Sequence, residues 1–288
     1  FVFGRRMYFL ADALHEQYPW QSVLNSLLRQ DAQAPPLWNP HAFCGSPLLA
    51  DIEVQAYYPP AMVYRLFPYP TAEGIFLVLH LFIALAGTYS FLRCKGLERS
   101  VAVLGGIGFA LGGHMFMLVA NQRAFAALSW LPWIARVTVY RRPSHPSPTE
   151  LMAQSFCFTW LLLAGHPQYL IYGVSLAILL AGFRSMRCFT GLVASVGIAV
   201  LLAGAAVIPF LSYLFLDTER GRSLAIPVRG LDSMPWFNLL AYLNPGLLRT
   251  PYSEELIGMR AHWASFHFVG TALTWGALIG SVVSMKSR

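Results

Sequence analysis

PLWNPHAFCGSPLLADIEVQAYYPP, residues 36–60, is too polar and too broken by proline to cross a bilayer, yet too aromatic to be a slack linker. Prolines at 36, 40, 47, 59 and 60 each remove a backbone donor and restrict the residue before them, so no long helix forms here. Trp38, Phe43, Tyr57 and Tyr58 supply apolar mass for packing, while His41, Asp51, Glu53 and Gln55 supply chemistry. The stretch reads as an ordered cap on one membrane face, with Trp38 and Tyr58 largely buried. It forms half of a candidate active site, and Asp12 to Trp20 form the other half.

Working outward, the composition fits a cap over a membrane bundle. The chain of 288 residues is 56% hydrophobic and only 11% charged, against about 25% charged in soluble domains. The formal net charge of +7 resembles a nucleic-acid signal until the arginines are placed. Most of them flank apolar segments, as membrane topology requires, so nucleic acid is excluded as a partner. Cys44, Cys94, Cys157 and Cys188 show no ligand spacing and are read as small hydrophobes, not as a metal site. The apolar Phe1–Phe3 reads as the end of a preceding apolar segment, and both it and the run just before Arg288 read as cut ends.

In chain order, residues 1–72 form the first outer-face loop, with a surface helix over residues 12–28 that places Leu14, Tyr18, Val23, Leu27 and Leu28 roughly on one side. Residues 73–215 are a transmembrane bundle, residues 216–267 a second outer loop, and residues 268–288 a final span. A spanning helix needs about 20 apolar residues. Residues 73–92 and 100–120 meet that length. Residues 124–140 read as a kinked helix near an interface. Residues 151–164 and 168–183 are short halves around Gly165-His166-Pro167, and residues 189–216 read as one long span. Counting the halves separately gives about seven spans, an all-α polytopic helical bundle. The count puts Arg93, Lys95 and Arg99, then Arg136, Arg141 and Arg142, then Arg184 and Arg187, then Lys286 and Arg288, on one side. The positive-inside rule makes that side cytoplasmic. Both outer loops, Arg123 and His166 then share the opposite face.

Several rare residues occur in an order that resembles a known family. Asp12, Gln17-Tyr18-Pro19-Trp20, Pro36-Leu37-Trp38-Asn39-Pro40, Gly45, Pro47 to Asp51 and Tyr58-Pro59-Pro60 are similar to the first outer loop of the YfhO-like bacterial membrane proteins. Leu79-His80, the glycine-rich 105–113, Asn121 with Trp130-Leu131-Pro132, Gly165-His166-Pro167-Gln168, Ala203 to Pro209 running on to Arg220 and Ser223, and Phe268-Val269-Gly270 continue the resemblance in order. It implies a GT-C-type fold in the bacterial inner membrane. It also implies sugar transfer from a polyprenyl-phosphate carrier to an outside acceptor, with an acidic residue of the first loop as base; Asp12 is the matching position. Family members are typically several hundred residues longer, so the resemblance implies the amino-terminal part of such a protein or a shortened relative.

That chemistry needs a base for the acceptor hydroxyl and positive charge or a metal for the phosphate leaving group. Asp12 and Asp51 are the candidate catalytic carboxylates. Glu53 joins Asp51 in orienting acceptor hydroxyls or holding a divalent ion, and bound lipids are expected ligands. The alternative for Asp12, Asp51 and Glu53 is a turn cap or a solvated loop carboxylate. Arg123, placed in a short outer turn at the membrane surface, and His166, Arg220 and Arg222 are the substrate-binding candidates; Arg220 and Arg222 could equally pair with Asp217, Glu219 or headgroups. His80 and His114 lie within apolar spans, where a neutral histidine hydrogen-bonded between helices is preferred to a haem or chlorin ligand. A non-catalytic subunit packed in a larger membrane complex is the rival reading. A transporter is disfavoured by the near absence of intramembrane carboxylates.

Overall fold

The computed structural model describes residues 13–30, 37–42, 44–140, 147–181 and 186–217. These are helical almost throughout. A π-helical turn, Ala13–Gln17, runs directly into α1, Tyr18–Gln30, with Pro19 just after the junction. Helix α1 turns a mixed face to the cap: Val23, Leu27 and Leu28 pack around Leu24, Leu48 and Val54 as expected, Gln17 and Gln21 are buried beside them, and Tyr18 is exposed.

The cap follows as a two-stranded antiparallel pair, β1 (Trp38–Asn39) and β2 (Ser46–Pro47), with Trp38 opposite Pro47. Short 3-10 turns at Leu48–Ala50, Ile52–Val54 and Pro59–Met62 lead to a single turn of helix, α2, Val63–Leu66. The loop is thus ordered as expected, with Tyr58 1% exposed, but Trp38 is 55% exposed. Its indole lies on Gly45 rather than inside the molecule: a Cβ at Gly45 would stand 2.4 Å from the ring. Phe43 lies outside the described residues.

Helix α3, Tyr69–Cys94, and the helical run Arg99–Ala120 are long and apolar enough to cross a membrane, with mean hydropathies of 2.1 and 1.8. The second run breaks at Leu111–Gly112 into α4, Arg99–Ala110, and α5, Gly113–Met117. Then come α6 (Gln122–Tyr140), α7 (Pro148–Leu163) and α8 (Pro167–Ala181). At about 1.5 Å per residue, α7 and α8 reach only about 24 Å or less, short of a bilayer core. The expected long span 189–216 is instead two helices, α9 (Met186–Leu202) and α10 (Gly204–Ser212), bent by 86°. Ala203 and Gly204 sit at the break, and Pro209 lies inside α10. Residues 268–285, the second outer loop from residue 218, and Arg141, Arg142 and Arg184 lie outside the described residues.

Helix α6 is the axis of the bundle and packs on α3, α7 and α8. It starts where the Asn121 side chain accepts from the Ala124 N–H, at 3.1 Å, a cap for an otherwise orphaned donor. Its buried Ala124, Ala126, Ala127 and Ser129 let neighbours approach closely, as small residues do between membrane helices. Side-chain hydrogen bonds pin the contacts: Trp133 Nε1 to Ile83 O at 2.9 Å, Gln154 Nε2 to Thr138 Oγ1 at 3.0 Å and Ser195 Oγ to Gln154 Oε1 at 3.0 Å. Ser147 and Glu150 form a reciprocal capping box ahead of α7.

His80, 0% exposed, takes the structural role. Its Nδ1 lies 2.7 Å from Phe76 O, which only accepts, so Nδ1 carries the proton and Nε2 accepts from Tyr58 O–H at 2.7 Å. Tyr58 in turn accepts from Trp130 Nε1 at 2.9 Å. Both ring nitrogens are engaged, which leaves His80 no lone pair for a haem or chlorin metal. Tyr58→Phe should therefore strand the Trp130 donor and the His80 acceptor, costing about 1–3 kcal/mol, measurable as a lower unfolding midpoint in detergent. An unchanged midpoint would show that the chain of hydrogen bonds adds no net stability.

Candidate functional site

The site is where the cap is fastened to the end of the bundle. Asp51 links two 3-10 turns, and its carboxylate accepts from the Glu53 N–H at 3.0 Å, an N-cap of the kind expected as its alternative role. The turn closes on Gln55, which adopts a left-handed conformation at φ 57°. Gln55 Nε2 donates to Ala164 O at 2.7 Å, and its Oε1 accepts from Gln17 Nε2 at 3.0 Å. One side chain thus ties the cap to both the α7–α8 turn and the segment before α1. Gly165 permits the approach: at φ +84° its hypothetical Cβ would stand 2.7 Å from Ile52 O.

Arg123 lies in the first turn of α6. It is not the surface residue expected at a lipid phosphate, being 3% exposed. Its guanidinium is bridged by the carboxylates of Glu53 and Glu16, and its Cζ stands 4.9 Å from the centre of the Trp20 ring, within the range of a cation–π contact.

Asp51 and His166 complete the cluster. Burial raises the Asp51 carboxyl above its ordinary pKa; the Glu53 N–H and Arg123 oppose the rise and Glu16 adds to it. Burial lowers the His166 pKa, with Arg123 acting in the same direction and Glu16 against it. The Nδ1 of His166 is buried without a hydrogen-bond partner. Asp51, Glu53, Arg123 and His166, four residues singled out from sequence, therefore belong to one electrostatic neighbourhood. Asp12, Arg220 and Arg222 lie outside the described residues.

Glu16 is the member that sequence reasoning missed. It lies four residues after Asp12 in the sequence, inside the segment already taken as half the site, but an acidic residue in an amphipathic helix reads as a solvated face. Among the described residues no group of three or more His, Cys, Asp or Glu side chains is arranged to hold a metal ion; Glu16 and Glu53 are both spent on Arg123. A small cleft opens beside Asp51, with Leu49, Gln55 and Tyr57 of the cap on one side and Leu163 and Ala206 on the other. Comparison with family models, curated proteins and solved structures returns no match for this chain.

Segment 13–30 holds to the cap through a row of amides. Gln17 donates to Gln55, Gln21 Nε2 to Val54 O at 2.9 Å, and Asn25 Nδ2 to Tyr64 O at 2.7 Å. The oxygens of all three amides are buried without a partner. Each such orphan costs about 1–3 kcal/mol, so this seam is weaker than its burial suggests.

Proposed function

We propose that this protein is a membrane glycosyltransferase of the YfhO-like, GT-C kind, using a polyprenyl-phosphate-linked sugar on the outer face of the bacterial inner membrane. In this reading the chain has seven spans, with its basic loops in the cytoplasm and the cap outside. The observation that carries the reading is the meeting of Asp51 and Glu53 from the cap, Arg123 from α6 and His166 from the α7–α8 turn in one electrostatic cluster, of which Asp51 lines a small cleft. Side chains so far apart in sequence meet for a reason, and the ordered resemblance to the YfhO-like first outer loop supplies one.

The carboxylate beside the cleft is Asp51, which joins Asp12 as candidate base. It would take the acceptor hydroxyl proton as the oxygen attacks the anomeric carbon. The bond from that carbon to the phosphate oxygen breaks, and polyprenyl phosphate leaves toward Arg123. A base kept partly desolvated is better matched to proton transfer near neutral pH than an ordinary aspartate.

Asp51→Asn tests the reading. The raised pKa of Asp51 means the folded state disfavours its ionised form. That cost is absent below the ordinary aspartate range and appears as pH rises through the folded pKa. The amide removes it, while its Oδ1 still caps the Glu53 N–H. The variant should thus be at least as stable as wild type at neutral pH, the difference closing on acidification. Transfer from a panel of polyprenyl-phosphate hexoses should fall about 10²–10⁴-fold. Wild-type membranes that transfer no hexose, or an Asp51→Asn protein of full activity, would refute the assignment.

One observation favours the rival reading of a non-catalytic subunit: Arg123 is already bridged by carboxylates, as in a purely structural clasp. Under that reading Asp51→Asn changes stability alone.

A further inference from the structure

Two consecutive tyrosines of the cap are used in opposite ways. Tyr58 is buried and spent on His80 and Trp130. Tyr57 is 40% exposed and, among the described residues, makes no hydrogen bond and stacks on no ring. It lines the cleft beside Asp51.

That cleft is small. With its open mouth included it measures about 210 Å³, below the roughly 300–1,000 Å³ of sites that enclose a drug-sized molecule. It takes one unit of a larger ligand and leaves the remainder outside. Leu49 and Ile52 of the cap, Leu163 at the end of α7 and Ala206 of α10 make its apolar walls. Of its polar groups, Gln55 is committed to Ala164 and Gln17. Asp51 holds the Glu53 N–H through Oδ1, and its Oδ2 has no hydrogen-bond partner among the described residues.

The ligand that suits this lining carries hydroxyls along one edge and C–H groups on one face. Asp51 offers an oxygen to a hydroxyl proton. Tyr57 offers an aromatic ring, whose electron-rich face attracts C–H groups polarised by neighbouring oxygens. A pyranose ring has both features. An acyclic polyol phosphate, or a serine or threonine of a peptide, supplies the hydroxyl without the flat C–H face.

We infer that the acceptor is a glycan, one pyranose unit of which lies with its C–H face on Tyr57 and its reacting hydroxyl on Asp51 Oδ2. This rests on the reading of Asp51 as the base. The hydroxyl oxygen bonds to the anomeric carbon of the donor sugar, and its proton passes to Asp51. The bond from that carbon to the phosphate oxygen breaks, and its electron pair leaves with the polyprenyl phosphate. Tyr57 holds the acceptor unit away from the reacting bond, so it acts on binding and not on the chemical step.

The test uses the full chain in phosphatidylcholine nanodiscs, with neutral tetrasaccharides of glucose, galactose, mannose and N-acetylglucosamine as probes. Binding is read by magnetisation transfer from protein to sugar protons. At least one tetrasaccharide should bind wild type. Tyr57→Ala and Tyr57→Leu should weaken that binding about tenfold, while Tyr57→Phe, which keeps the ring, should retain it. With a polyprenyl-phosphate hexose supplied, the first two variants should raise KM for the saccharide about tenfold at unchanged kcat. Their unfolding midpoints should match wild type, since Tyr57 has no hydrogen bond or ring contact to lose. Binding of no tetrasaccharide, or equal binding by wild type and Tyr57→Ala, overturns the inference. Transfer to oligoglycerol phosphate or to a serine- and threonine-containing peptide, and to no saccharide, overturns it and leaves the glycosyltransferase reading standing. Saccharide binding through Tyr57 with no transfer from any donor refutes the glycosyltransferase reading and the acceptor role together. Tyr57→Leu decides the matter if Tyr57→Ala does not fold.

Discussion

Arg123→Ala should lower stability by about 2–4 kcal/mol, below the full 3–5 kcal/mol of a fully buried pair because its partners are partly solvated. Arg123 is 3% exposed, whereas the Glu16 and Glu53 side chains are 41% and 38% exposed. Truncation leaves an arginine-sized void under Trp20 and removes the cation that Glu16 and Glu53 share. The effect should depend on pH in a defined sense. Acidification neutralises carboxylates and relieves their repulsion, so the gap between wild type and variant should narrow as pH falls. Adding Glu53→Gln to Arg123→Ala should return part of the loss, since the amide needs no counter-ion. The measurement is an unfolding midpoint in detergent across pH. A gap that widens on acidification would show that packing of the guanidinium on Trp20, and not the ion pairs, holds this corner.

The same corner shows what could be read from sequence and what could not. The strength of α3 and of the run through Ala120 was legible because an unbroken apolar stretch has few alternatives to a membrane helix. The cap was legible because its prolines exclude a helix and its aromatics require packing. The break at Ala203–Gly204 was not, since residues 189–216 are apolar on both sides of it and hydropathy is blind to direction. Trp38 was misplaced for a related reason. An indole can satisfy itself against a neighbouring glycine, here Gly45, without entering a core.

In the site, Asp51 and Glu53 stood out as the acidic residues of the aromatic stretch 36–60, and Arg123 and His166 as polar residues of short turns expected on the same face. Glu16 did not, because a lone carboxylate on a helix has an obvious solvent to face. Only the packing of α1 against the cap shows that Gln17 and Gln21 are buried with its apolar residues. Periodicity found the packing side of Val23, Leu27 and Leu28, but it gave no reason to bury amides beside them.

Gly165→Ala should have the larger effect of the two, about 2–5 kcal/mol, as the sum of backbone strain and overpacking. The first part comes from φ +84°, a conformation an alanine adopts reluctantly. The second comes from the new methyl, which would stand 2.7 Å from Ile52 O and 3.0 Å from the Gln55 side chain. A carbonyl oxygen of the cap cannot turn aside as a side chain would, so the cap itself must shift. The two parts are separable within this chain. Gly96 follows α3 at φ +86° with nothing within 4 Å of its hypothetical Cβ, so Gly96→Ala should cost only the strain, about 1–2 kcal/mol. The excess at Gly165 then measures the contact between cap and bundle. Because Gln55 donates to Ala164 across that contact, the shift should carry Glu53 away from Arg123. Gly165→Ala should therefore also expose Arg123 to a guanidinium-modifying reagent, and Gly96→Ala should not. Equal losses at the two glycines, with Arg123 protected in both, would mean that the cap is held by α1 and the apolar core, with the seam at Gly165 contributing little.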